Sequence, residues 1–554
     1  MKILTDFLAK KEGDIRKDLA ALFIVFGAAL FQFLGRIPLL EPDEGRYAEI
    51  PREMLERADF VTPYLNHVKY FEKPPLLYWL NSLSLSVFGQ NEFAARFFPA
   101  LCGLAGILLT YFIGRKIYGR REGLLAAIIL GTSVGYLAQA RMNIIDMPLT
   151  FCMTATLGFF LLAAREGEKR SVLYFYLFYL SAALTVLAKG LIGIVLPGAI
   201  VFLYLVVTRR WRILREMKPV AGGILFLVVA APWFVLVSVR NPEFARFFFI
   251  HEHFERYLTK VHGHYQPTWY YIPVLLGCMF PWSLYLPSVF RGIWRERSEG
   301  KFAPTIFLAI WASVIFGFFS LSDSKLIPYI IPVFPAAALL LGRTFAAVMD
   351  DGTGTIRQYA RVAAVFILVT AVGLLLYPAV ADNGKVDTRL FVVLGPILLA
   401  GGTASLLCLR RNSGRALFTA LAGMSLLVSL AGPPFVFGRL AERKAAPELA
   451  RIVGKDFRQG DIVACYGWYL QGLPFYTGKR VVLVDYKGEL EFGSGQGDNS
   501  QWFIDCSAFD RMWNSPSRVF ALVREGDLGR LESGVKSSVR ILGRTGETIL
   551  VSNR

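Results

Sequence analysis

Apolar residues run along this chain in blocks of spanning length, separated by short polar hinges. The blocks occupy residues 18–38, 93–114, 124–141, 147–164, 171–188, 190–208, 220–239, 269–289, 302–320, 327–345, 362–380, 390–409 and 416–437. A helix needs roughly 20 apolar residues to cross the hydrocarbon layer. Lipid offers the backbone no hydrogen-bond partner, so each block is expected to be a helix. The pattern predicts a polytopic α-helical membrane protein of about thirteen spans. Two further stretches, Asp43–Arg57 and Leu76–Phe88, have helical periodicity with aromatic and apolar faces, as helices lying in the membrane interface do. After Pro434 the pattern changes. Short β-type runs at Asp461–Tyr466, Val481–Tyr486, Val519–Val523 and Thr548–Val551 alternate with polar helical stretches, which predicts a small α/β domain. Phe492–Ser500 reads as a flexible loop. The expected division is therefore 1–437 for the helical part and 438–554 for the α/β domain.

Composition agrees: 55% of the 554 residues are hydrophobic and the mean hydropathy is +0.47. The net charge of +18 could point to nucleic acid, but the basic residues sit in short hinges between apolar blocks. Arg115, Lys116, Arg120 and Arg121 share one hinge; Arg209, Arg210, Arg212, Arg215 and Lys218 share another. Retention of positive loops in the cytoplasm explains this, and no nucleic-acid partner is expected. An odd span count from a cytoplasmic N-terminus puts every such hinge inside. Segments 39–92, 240–268, 321–326 and the tail then face the periplasm of a bacterial inner membrane. Residues 1–17 are charged, and no small-residue cleavage site follows the first block, so that block reads as a retained first helix. Segment 39–92 breaks the positive pattern, with nine acidic residues against five basic. Of six cysteines, Cys465 and Cys506 lie in the tail; a disulfide and two separate thiols are both compatible with their positions.

The candidate chemistry collects in the outer segments. Glu41-Pro-Asp-Glu-Gly-Arg-Tyr47 follows the first block directly. Asp43 and Glu44 could simply favour a helix N-terminus, but acids with Arg46 and Tyr47 at the rim of a membrane cavity also suit a polar, partly charged substrate. In Tyr70-Phe-Glu-Lys-Pro-Pro-Leu-Leu-Tyr-Trp79, two prolines fix the chain that presents Glu72 and Lys73; Lys73 could also merely reach the headgroups. Asp146, in Arg141-Met-Asn-Ile-Ile-Asp-Met-Pro148, lies between two apolar blocks, where a carboxylate is costly without a task or a partner. Phe249-Ile-His-Glu-His-Phe-Glu-Arg-Tyr257 places His251 four residues from Glu255 and Glu252 four from Arg256, so an α-helix would pair them. His251 with Glu72 offers nitrogen and oxygen to a zinc or other divalent ion. Lys325 and Tyr329, also four apart, could meet one ligand or anchor a helix end.

Taken in this order, these segments resemble the GT-C superfamily of lipid-carrier glycosyltransferases. The likeness is greatest to the lipid A 4-amino-4-deoxy-L-arabinose transferases, relatives of the protein O-mannosyltransferases. E-P-D-E-x-R-Y with F-x-K-P-P-L-x-Y-W is the specific part, and the likeness spans about residues 18–440. It implies a GT-C fold and a sugar donor carried on undecaprenyl phosphate. The acceptor would be lipid A or another periplasmic molecule, reached within membrane lipid. It implies Asp43 as the catalytic acid with Asp146 as a second, Lys73 and Arg256 gripping the carrier phosphate with Tyr329 beside them, and a structural metal at Glu72 and His251. No cofactor is required, since a donor without a nucleotide diphosphate needs no Mg²⁺-binding D-x-D. The anomeric carbon would be inverted. A mannose-type transferase acting on a protein or glycan is the nearest alternative. A transporter or flippase would instead bury acids in mid-span and show an inverted repeat.

Overall fold

The computed structural model describes residues 11–165, 169–255, 265–295, 302–380, 388–444 and 446–554. Helices occupy all thirteen expected blocks. Among the described residues, nine are long and apolar enough to cross a membrane. Two more blocks are bent pairs, Arg120–Gly131 with Val134–Ala140 at 67° and Thr268–Cys278 with Trp282–Phe290 at 110°. The remaining two, Ile15–Phe31 and Ile192–Thr208, have 17 residues each. The chain is a multi-span helical membrane protein with a sheet-containing C-terminal domain.

The contacts divide the chain into two units. One comprises Met1–Gln32, Pro99–Ser238 and Ala245–Phe435; the other comprises Phe33–Phe98, Val239–Phe244 and Val436–Arg554. The first periplasm-assigned loop thus belongs with the tail.

In the helix unit, small residues allow close packing, as is usual where lipid removes the hydrophobic drive between helices. A Cβ on Gly114 would lie 2.7 Å from the Cα of Gly123, and one on Gly342 would lie 2.7 Å from the Glu122 carbonyl. Several hinge charges prove to be paired rather than loose. Asp18 accepts from Arg120 Nε (2.8 Å) and Nη2 (2.6 Å), from Tyr111 (2.6 Å) and from Arg115 (3.2 Å). Arg121 holds Asp350 through two 2.7 Å bonds. The backbone of Arg246–Glu255 is wound as a π-helix, so the four-residue spacing expected across His251–Arg256 does not apply to its described part.

In the second unit, Asp43–Arg57 and Leu76–Phe88 are helices with the expected bounds. A hairpin, β1 (Tyr64–Leu65) with β2 (Val68–Lys69), lies between them. Asn66 in its turn exchanges two hydrogen bonds with the backbone of Val481, at 2.8 and 2.9 Å. Leu39, Ala48, Leu85, Ala94 and Ala95 share a core with Phe475 of the tail. The tail sheet has β3 (Ile462–Tyr466), β4 (Val482–Val484), β5 (Phe503–Ile504), β6 (Val519–Arg524), β7 (Arg540–Thr545) and β8 (Thr548–Ser552). Their order is β5-β4-β3-β6-β8-β7. The pairs β5-β4, β4-β3 and β3-β6 are parallel; β6-β8 and β8-β7 are antiparallel.

The four expected strands are the four interior ones. Both of their faces are buried: Tyr466, Val484, Ala521 and Val551 on one side, Cys465, Leu483, Leu522 and Leu550 on the other. Such strands read as continuous apolar runs. The two unforeseen strands, β5 and β7, are the sheet edges, short in one case and polar with a glycine in the other. Within Phe492–Ser500 the first three residues belong to a helical turn, Glu491–Ser494, so the loop is shorter than expected. Cys465 and Cys506 are free thiols. Cys506 Sγ lies 3.4 Å from the Tyr466 hydroxyl, and neighbouring residues of a strand point to opposite faces, which sends Cys465 the other way.

Candidate functional site

The Asp43–Arg57 helix begins at Pro42, and its first turn carries both acids of the motif. Their fates differ. Glu44 is fully buried and grips Arg96 through two 2.7 Å bonds. Arg96 also donates to the carbonyls of Leu34, Ile37 and Pro38, at 3.0, 2.5 and 2.8 Å. Glu44 is therefore part of the scaffold that ties the incoming chain to this helix. Asp43 is about half exposed, at 53% of its side chain. Its Oδ1 accepts from Arg46, one turn on, while Oδ2 has no partner among the described residues.

Arg46 is almost wholly buried and is shared by three groups: Asp43, Glu489 and the Tyr70 hydroxyl at 3.2 Å. Burial opposes its charge, but the oxygens of Tyr70, Glu489, Tyr47 and Asp43 outweigh that and hold its pKa raised. Glu489 also accepts from Gln471 Nε2 at 3.1 Å. Burial pushes the Glu489 carboxyl up, while Arg46, Gln471 and Lys73 pull it down, and the net result is below its ordinary value. Tyr47 packs its ring against Tyr78 at 6.2 Å and lies under the Arg46 guanidinium at 5.1 Å. Lys73 Nζ donates to the Glu72 carbonyl at 2.9 Å and sits 3.9 Å from its carboxylate. Of the expected residues, the structure gathers Asp43, Arg46, Tyr47, Glu72 and Lys73 in this unit, all within segment 39–92.

Glu41 adds a feature that its sequence position did not signal. Its side chain is buried, with Oε1 accepting from the Gly472 N–H at 2.8 Å and Oε2 without a hydrogen-bond partner among the described residues. A Cβ on Gly472 would lie 2.3 Å from that oxygen, so only glycine admits this approach. Burial pushes the carboxyl up to about 8, against the pull of the Gly472 and Gln471 N–H groups and of Arg46. At neutral pH it is largely protonated, and no ionised group is left orphaned. Glu41 thus fastens the Gln471–Gly472 turn, and Gln471 in turn holds Glu489 against Arg46.

The helix unit carries the second acid. Asp146 opens the helix Asp146–Ala163, and Lys189 closes the helix Ser171–Lys189. The two helices pack along their length as a hairpin, so the start of one meets the end of the next and the pair forms an ion pair. Lys189 Nζ also lies 4.1 Å from the centre of the Tyr329 ring. Arg141 does not join them; it donates to the carbonyls of Ala29, Leu30 and Gln32 and closes the first helix. Lys325 is buried and donates to the carbonyls of Gln266 (2.8 Å) and Ser322. Arg256 and the side chain of His251 lie outside the described residues. Among those described, no group of three or more His, Cys, Asp or Glu side chains could hold a metal ion. Sequence reasoning missed Glu489, Gln471 and Lys189. Lys189 alone left a trace, as a charge at the end of an apolar block.

Comparison with known proteins fits both units. The family model for dolichyl-phosphate-mannose-protein mannosyltransferase matches residues 72–236, and that for the aminoarabinose transferase C-terminal domain matches residues 449–553. The undecaprenyl phosphate-α-4-amino-4-deoxy-L-arabinose arabinosyl transferase of Aeromonas hydrophila is 31% identical over 487 residues, covering 86% of this chain and 88% of its own. The Pseudomonas aeruginosa protein of the same name is 30% identical over 510 residues, 90% of each. The crystal structure of ArnT from Cupriavidus metallidurans bound to undecaprenyl phosphate superposes with a TM-score of 0.82 at 28% identity, covering 98% of both chains. An archaeal oligosaccharyltransferase from Archaeoglobus fulgidus, at 13% identity and a TM-score of 0.53 over 96% of this chain and 74% of its own, shares the fold. On identity of this extent, the chain belongs to the undecaprenyl phosphate-aminoarabinose arabinosyl transferases, a GT-C glycosyltransferase family related to the protein mannosyltransferases.

Proposed function

We propose that this protein transfers 4-amino-4-deoxy-L-arabinose from undecaprenyl phosphate to a phosphate of lipid A, at the periplasmic face of the inner membrane with its N-terminus in the cytoplasm. The observation that carries this is likeness to aminoarabinose transferases over nearly the whole chain, the tail included. The tail's own match favours this sugar over mannose.

In the reaction, the bond between the anomeric carbon and the carrier phosphate breaks, and its electron pair stays on the phosphate oxygen. An oxygen of the acceptor phosphate bonds to that carbon from the opposite face, which inverts it. The acceptor is ionised at neutral pH, so no strong base is needed. Asp43, with one oxygen fixed by Arg46 and the other open, is suited to hold the sugar's ammonium group. Lys73 and Arg256 stabilise charge on the departing carrier phosphate, a contribution that grows as the bond breaks. Asp146 serves as the second acid, with Lys189 and the Tyr329 ring fixing it in place. The test is mass spectrometry of lipid A from cells with and without this protein. An added aminopentose mass is expected only when the protein is present; lipid A identical in both strains would overturn the assignment.

A further inference from the structure

The tail domain is nearly balanced in charge, with fourteen Lys and Arg against thirteen Asp and Glu over residues 446–554. One end of its sheet is not. Strands β3, β6 and β7 begin there and β8 ends there, as the register pairs Ile462 with Val519, Phe520 with Ser552 and Ser552 with Arg540. Each strand brings an arginine to this end: Arg458 before β3, Arg518 before β6, Arg540 at the start of β7 and Arg554 after β8. All four line one cleft of about 550 Å³, within the roughly 300–1,000 Å³ range of small-molecule sites.

Among the described residues that line it, Asp461 is the one acid, and its carboxylate is engaged by the Arg458 N–H at 2.8 Å. Arg518 leans toward Asp456 at 3.6 Å, and Arg554 donates to the Ser515 carbonyl at 3.3 Å. The guanidiniums of Arg458 and Arg540 have no hydrogen-bond or ion-pair partner among the described residues. Like charges drawn together repel, and an anion between them removes that cost. A guanidinium fork matches the geometry of phosphate oxygens and holds them in pairs.

We propose that this cleft binds a phosphate-bearing ligand, with Arg458 and Arg540 supplying the free grip and Arg518 and Arg554 the surrounding field. The site is separate from the residues around Asp43, and the proposal does not rest on the transfer reaction. The test uses the full chain in neutral detergent micelles. Calorimetric titration with inorganic pyrophosphate forms one arm. Short-chain phosphatidic acid in the same micelles, against phosphatidylcholine, forms the other. In Arg458→Ala/Arg540→Ala, binding is expected to fall at least tenfold, whereas Arg458→Lys/Arg540→Lys should stay within threefold of the natural protein. Loss with pyrophosphate alone identifies a free phosphate ligand, and loss with phosphatidic acid alone identifies a lipid headgroup; either upholds the cleft. No binding by the natural protein in either arm, or equal binding by the alanine variant in both, overturns it. Because Arg458 and Arg540 are exposed, both variants should unfold at the same temperature as the natural chain.

Discussion

Two ionic clusters, one in each unit, are built from the same residue types to opposite ends. Around Asp18, one buried acid receives two arginines and a tyrosine, and both carboxylate oxygens are filled. Around Arg46 the stoichiometry is reversed: one buried arginine serves two acids and a tyrosine, and Asp43 keeps an oxygen open at the surface. A saturated cluster can only hold elements together. An acid with one oxygen fixed and one free is oriented yet available, which is what binding a cationic substrate group requires.

The comparison breaks most sharply by substitution of the two acids. Asp43→Asn keeps the shape but removes the charge, and transfer should fall by about 100-fold or more, with the unfolding temperature unchanged. Asp18→Asn should do the converse. It leaves two guanidiniums without a buried counter-charge, at a cost of about 3–5 kcal/mol, read by denaturant unfolding in micelles. The rate per folded molecule should stay the same. If Asp18→Asn impairs catalysis in folded protein, or Asp43→Asn only lowers stability, the contrast drawn between the clusters is wrong.

How much of this was legible beforehand follows from the same chemistry. Spans, hinges and interior strands could be read because burial writes a continuous apolar run into the sequence. The edge strands β5 and β7 could not, since half of each faces water and their residues look like loop. The motif E-P-D-E-x-R-Y announced that acids and a cation mattered, yet not which did what. Asp43 and Glu44 are neighbours of like chemistry, and only the position of Arg96, 52 residues on, separates scaffold from site. Glu489 lies 443 residues from the arginine it binds, close to a stretch whose glycines and serines read as loop. Pairing over such distances leaves no local pattern to detect.

Glu41 tests the scaffold side of the contrast more finely, through pH. Its carboxyl ordinarily titrates at 4.5 and is raised to about 8 in the fold. Folding therefore takes up a proton between those values. The stability tied to this group is complete below pH 4.5 and is lost as pH rises through 8, by about 1.4 kcal/mol per pH unit in between. Glu41→Gln copies the protonated form and should abolish that slope. His67 is pushed down to about 4 by burial and by Arg57 and Arg480, and so titrates in the opposite sense; the difference between natural protein and variant removes it. Unfolding free energies at pH 6.5 and 7.5 suffice, and a slope unaltered by the substitution would count against a protonated Glu41.

The smallest effect is expected at Tyr329, and its size separates two ways of being near a charge. Lys189 lies over the ring face, 4.1 Å from its centre, and phenylalanine keeps that face. If Tyr329 works by holding Lys189 against Asp146, Tyr329→Phe should lower the transfer rate less than threefold. Tyr329→Leu should lower it further, in line with the roughly 0.5–2 kcal/mol of a cation–π contact. Were the hydroxyl itself bonded to a substrate phosphate, the order of damage would invert. Phenylalanine would then cost tenfold or more, because a buried acceptor loses its donor, and leucine would add little beyond that. The ratio of the two variant rates thus places Tyr329 with the saturated, supporting groups or with the open, substrate-facing ones.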